Sequence, residues 1–93
     1  MYDKEFEDLL KYYIDVYDID KSLEIHFIKA YKELSLLPKK EGKNKNYSSK
    51  SVSEAKRAFK ELLDSTNLSY QTLIPFWESL VSLLNIEATN PKI

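Results

Sequence analysis

The chain has 93 residues with 14 bases against 15 acids, and 43% of it is hydrophobic and 31% charged. This size fits one domain spanning 1–93, and the balance is that of a globular chain rather than a disordered or fibrous one. The absence of cysteine excludes disulfides, thiolate metal sites and cysteine nucleophiles.

One glycine (Gly42) and three prolines (Pro38, Pro75, Pro91) leave few turn-makers, which suits helices joined by few loops better than a sheet. The expected fold is all-α, a small four-helix bundle made of two helical hairpins joined by a lysine-rich loop. The first helix is predicted over about 3–17, where Phe6, Leu9, Leu10, Tyr13 and Tyr17 recur at spacings of three and four, and Glu7 precedes Lys11 in the favourable order. Asp18 or Asp20 can cap a second helix over about 19–37, whose stripe is Leu23, Phe27, Ala30, Leu34 and Leu37 and which Pro38 stops.

Residues 38–50, rich in lysine, asparagine and serine, lack periodicity and hold the only glycine, so they are read as a flexible loop. Ser51 with Glu54 matches a capping box opening a third helix over about 52–66, with Val52, Ala55, Phe59, Leu62 and Thr66 on one face. Asn67 suits the left-handed residue that closes it. Ser69 can cap a fourth helix over about 69–85, with Leu73, Trp77, Leu80, Val81 and Leu84 in one stripe and Ile74, Phe76 and Leu83 beside it. Pro75 requires that helix either to bend or to begin near residue 75. A short tail, 87–93, follows.

Charge is unevenly placed. Residues 1–37 hold nine acids against five bases, whereas 38–61 hold eight bases against three acids. The acidic part is also rich in tyrosine (Tyr2, Tyr12, Tyr13, Tyr17), a residue enriched at interfaces because it adds area and keeps a polar tip. Tyr12 lies off the Phe6–Tyr13–Tyr17 stripe and is expected to stay partly exposed.

No catalytic or metal pattern emerges. His26 is the only histidine and neighbours an apolar stripe, with no serine or acid placed around it in a known arrangement. "DIDKSLEIHFIK" begins like a calcium loop, but Leu23 stands where glycine is required and Lys29 where a bidentate glutamate belongs. Phosphate cradles need glycine-rich turns that this chain lacks. The expectation is therefore a non-enzyme with no cofactor and no metal. The start "MYDKEFEDLL" has acids where a secretory leader needs bases, and no segment approaches the ~20 apolar residues of a membrane span, so a cytoplasmic location is expected.

Function is expected to lie in binding a macromolecule, most simply another protein. "TLIPFWESLVSLLNI" (72–86) could hardly show water a clean polar face. It is either a central helix touched by the other three or a docking face, anchored by Ile74, Phe76, Trp77 and Val81 and joined by Tyr12, that dimerises or receives a partner. Lys39, Lys40, Lys43, Lys45, Lys56, Arg57 and Lys60 form a candidate basic patch.

The segment "LLDSTNLSYQTLIPFWESLVSLLNI" resembles the helix-turn-helix of bacterial DNA-binding regulators: Asn67 takes the place of the turn glycine, "LSYQTL" resembles the start of the recognition helix, and Trp77, Leu80, Leu83 and Ile86 fall on apolar positions. This resemblance implies an alternative, DNA binding by residues 52–86, with Lys56, Arg57 and Lys60 on phosphates and Tyr70 and Gln71 near bases. The small size, scarce glycine and many lysines and asparagines also look like accessory proteins of bacterial phages or mobile elements, inhibitors and immunity proteins among them.

Overall fold

The computed structural model describes residues 3–37 and 49–86. The tail 87–93 and all of the expected loop except Ser49 and Lys50 lie outside these residues. The fold is an all-α, small four-helix bundle: α1 (Lys4–Val16), α2 (Glu24–Ser35), α3 (Ser49–Thr66) and α4 (Tyr70–Leu84), with a single 3-10 turn, Lys21–Leu23, leading into α2. None of the described helices is long and apolar enough to cross a membrane.

Side-chain caps open three of the helical segments. The Glu5 amide donates to the Asp3 carboxylate at 3.1 Å, the Ser22 amide to that of Asp20 at 2.9 Å, and the Thr72 amide to the Ser69 hydroxyl at 3.2 Å. Each satisfies one of the free N–H groups of a first turn. The Ser22 amide and hydroxyl also hold the Asp20 carboxyl below its ordinary range. The predicted capping box fails: α3 is already under way at Ser49, so Ser51 sits inside the helix instead of opening it. Ser49, Lys50 and Ser51 include no helix breaker, and the helix extends through them.

At the other ends, three residues other than glycine adopt the left-handed conformation: Asp18 (φ 51°), Asn67 (φ 60°) and Asn85 (φ 52°). Asn67 does so as its sequence position suggested. After Asp18 the Ile19 amide donates back to the Ile14 carbonyl at 3.0 Å, and after Asn85 the Ile86 amide donates to that of Val81 at 3.2 Å. These are six-to-one Schellman bonds, and the isoleucine after each left-handed residue is buried, which completes the motif. The two aspartates that suggested a calcium loop thus serve backbone geometry, Asp18 closing α1 and Asp20 capping the turn that follows.

α4 does not begin at Pro75; it starts five residues earlier and runs through the proline. The carbonyl that Pro75 cannot serve belongs to Gln71, and both residues are exposed, so that carbonyl lies on the wet side of the helix.

α2 packs most extensively against α3, so the main helix pair joins the two predicted hairpins instead of lying within either one. Lys29 Nζ on α2 meets Glu61 Oε2 on α3 at 3.0 Å, and this bond holds the Glu61 carboxyl below its ordinary range. Both side chains are open to water, which leaves the pair weak and sensitive to salt.

α4 touches all three other helices. On one flank the Phe76 ring lies 5.2 Å from Phe27, 5.4 Å from Tyr13 and 6.5 Å from Phe6; on the other Trp77 lies 5.3 Å from Phe59. Phe76 is 0% and Trp77 2% exposed. Sequence spacing put Phe76 beside the main stripe and offered both rings as docking anchors; the fold instead places them at the centre, because neighbouring helices cover both flanks of α4. Ile74 and Val81 are half-buried and pack against the same core. Of the four anchors expected on α4, Phe76 and Trp77 are thus buried, whereas Ile74 and Val81 keep part of their surface. Among the described residues the buried Trp77 indole N–H has no acceptor.

Tyr13 links α1 to α4: its hydroxyl donates to the Thr72 carbonyl at 3.3 Å. Burial, then the neighbouring Tyr17 and Tyr12, raise the pKa of this phenol above its ordinary value of 10.0. The folded state holds this proton more tightly than the unfolded chain does, so stability is intact below about pH 10 and falls as pH rises beyond it. Tyr13→Phe should flatten that alkaline decline in a set of urea melts, while costing about 0.5–1.5 kcal/mol near neutral pH for the lost hydrogen bond. Phe76→Ala should cost about 3–5 kcal/mol, enough to approach unfolding in a domain of this size, as read from the urea midpoint. At the left-handed position, Asn67→Ala should lose about 1 kcal/mol whereas Asn67→Gly should lose none, a contrast visible in paired thermal melts.

Candidate protein-interaction surface

Turning Phe6, Leu10 and Tyr13 inward commits one side of α1 to the core and leaves the rest of its circumference open. That outer surface is acidic: from Asp3 to Asp20 there are seven acids and only two bases, Lys4 and Lys11. It also carries large apolar groups in water, with Tyr12 56%, Val16 53% and Tyr17 40% exposed. The exposed rings are seated on the buried one. Tyr17 stacks on Tyr13 at 5.4 Å, and Tyr12 meets Tyr13 edge-on at 5.7 Å. Tyr13 in turn is fixed by Thr72 and Phe76, so the surface tyrosines rest on the core.

A groove lies on each side of α1. Against α2 a groove of about 510 Å³ has Leu10, Ile14 and Ile28 in its lining, together with Glu7, Asp15 and Glu24 and the opposing Lys11 and Lys21. Against α4 a groove of about 540 Å³ is lined, among the described residues, by apolar Leu9, Pro75 and Leu83, by the small Ser79 and Ser82, and by the carboxylates Glu5 and Glu78. α1 runs antiparallel to α4: Tyr13 reaches Thr72 near the start of α4, while Glu5 and Leu9 share the groove with Ser82 and Leu83 near its end.

Of the residues singled out from sequence, Tyr12 is the partner-binding candidate that stands open, as its position off the stripe suggested. Lys56, Arg57 and Lys60 are exposed on α3, where Arg57 lies 3.8 Å from Glu54. Lys39, Lys40, Lys43 and Lys45 lie outside the described residues. Of the pair expected near DNA bases, Gln71 is exposed, but Tyr70 is half-buried and packs edge-on against Phe59 at 6.2 Å. The turn between α3 and α4 is three residues long, with left-handed Asn67 and the Ser69 cap. His26 is half-buried on α2 and near enough to Glu61 to help hold that carboxyl down. No cluster of three or more potential metal ligands occurs among the described residues.

Sequence reading missed Val16 and the α1–α4 groove. The available signal was a second stripe on α1, Glu5, Leu9, Tyr12 and Val16 at i, i+4, i+7 and i+11, which the stronger Phe6–Tyr13 stripe obscured. Compared with protein-family models, with characterised proteins and with solved structures, the chain matches none of them.

Proposed function

We propose that this chain is a non-enzymatic, cytoplasmic binding module that receives a basic protein surface on α1. The observation that carries this reading is the coincidence on one helix of a strong acidic excess with three exposed apolar side chains, Tyr12, Val16 and Tyr17. Charge of one sign speeds encounter with an oppositely charged partner and orients it, while the apolar groups supply the short-range contact that charge alone does not. Rings already held against Tyr13 lose little rotamer freedom on binding, which lowers the entropic cost of association. The mode of action that follows is occlusion or scaffolding of the partner, as an inhibitor or accessory protein would do.

A second reading is DNA binding through α3 and α4, favoured by the exposed Lys56, Arg57 and Lys60. It is weakened by the packing of Tyr70 on Phe59 and by the lack of any base between Ser69 and Ile86.

The two readings separate in one titration series, using a lysine-rich peptide and a mixed-sequence DNA duplex as probes and mapping amide shifts by NMR. The expected result is peptide binding with shifts concentrated on α1, and a loss of about tenfold in affinity for Tyr12→Ala combined with Val16→Ser in a variant whose melting is unchanged. Duplex binding that weakens steeply with salt and is lost on substituting Lys56, Arg57 and Lys60 by alanine would overturn the first reading in favour of the second.

A further inference from the structure

α1 and α2 follow one another in the chain but are not among the closely packed helix pairs. Rings fill the space between them: Phe6 stacks on Tyr31 at 4.2 Å, and Tyr13 lies 6.4 Å from Phe27. Beside these rings the smaller Leu10, Ile14 and Ile28 leave the apolar floor of a groove of about 510 Å³, whose rim mixes three acids with two bases. Both walls, and the 17–23 connection that closes the hairpin, lie within the described residues.

A projection stands next to this recess. Ile25 is 65% exposed. At 100° per residue it lies about 140–200° round α2 from the buried Phe27, Ala30 and Leu34 and only about 60° from Ile28, which places it at the outer lip of the groove. A single exposed isoleucine is ordinary. An aliphatic projection beside an aliphatic recess, however, gives one face both halves of a contact. A two-fold axis sets a face against itself, so that the projection of each copy meets the recess of the other. The mixed rim suits this pairing, since each copy offers the other groups of both signs, whereas a partner charged with one sign alone would meet like charges. A net charge of -1 on the whole chain leaves little long-range repulsion between copies.

The geometry points to a symmetric homodimer through the α1–α2 groove, in which Ile25 of each copy enters the groove of the other and packs on Leu10, Ile14 and Ile28. This assembly stands independently of the protein-binding reading but bears on it. Tyr12 falls about 160–200° round α1 from Leu10 and Ile14, so the dimer leaves the acidic tyrosine surface open on both protomers. That surface is then presented twice, and a partner with two matching sites gains affinity through effective concentration without any new contact.

The test follows the molar mass of the full chain by sedimentation equilibrium across a dilution series. It compares the parent with Ile25→Glu on the projection, Ile28→Lys on the floor, and Leu36→Glu at a similarly exposed residue just past the end of α2, each with a thermal melt. The expected result is a dimer that dissociates on dilution, weakened at least about tenfold by Ile25→Glu and by Ile28→Lys and unchanged by Leu36→Glu. Mixing the first two variants should restore dimer, because the mixed pair keeps one contact whole, the Ile25 of one chain in the unaltered groove of the other. If Ile28→Lys does not fold, the contrast between Ile25→Glu and Leu36→Glu decides. A parent that stays monomeric up to about 1 mM, or a dimer that Ile25→Glu leaves as tight as before, overturns the assignment. Two weakened variants whose mixture stays monomeric overturn the reciprocal arrangement.

Discussion

The organisation of this protein depends on the ring of Phe76. A chain of this length has little interior to share among four helices, and four of its aromatic residues meet at one point: Phe76 from α4, Tyr13 and Phe6 from α1, and Phe27 from α2. The edge-to-face contacts of Phe76 with Tyr13 and Phe27 add directional preference to the burial of large apolar area. Trp77 repeats the arrangement on the other flank with Phe59 of α3. Adjacent residues on α4 thus face different neighbours, which explains why that helix is apolar around so much of its circumference. It is a helix covered on several sides.

This constraint moves the search for function to α1. Once Phe76 and Trp77 are used inside, the large apolar groups left in water on an acidic background among the described residues are Tyr12 and Val16 of α1 and Tyr17 at its end. Ile25 on α2 and Leu36 just past its end are also exposed, but stand 11 residues apart in sequence. The binding surface and the core also share a component. Tyr13 holds the exposed rings on one side and the Thr72 carbonyl and Phe76 on the other, so the recognition residues inherit rigidity from the interior.

The scarcity of glycine shapes the rest. Three helix ends need a left-handed residue, and the single glycine, Gly42, is at none of them. Asparagine and aspartate, which tolerate that conformation better than other residues bearing a side chain, take its place at Asp18, Asn67 and Asn85. The buried isoleucines that follow two of them tie each turn to the core, so chain reversal and core packing are stabilised together.

Much of the fold was legible in the sequence because it is local. The inward stripes of α2 and α3, that of α1 apart from Tyr17, which the structure leaves 40% exposed, the caps at Asp20 and Ser69 and the left-handed Asn67 follow from spacings and side-chain chemistry within a few residues of one another. The start of α3 was misplaced, since a helix continues past a good cap when no breaker precedes it. What only tertiary structure decided is which side of each helix meets which neighbour. Periodicity reports that α4 has an apolar stripe, but whether Phe76 beside that stripe is covered depends on Tyr13 and Phe27, 63 and 49 residues away in sequence. The candidate site was half legible for the same reason. The acidic, tyrosine-rich character of α1 and the exposure of Tyr12 can be read along the chain, whereas the groove needs Leu9 beside Leu83, a juxtaposition that no local pattern specifies.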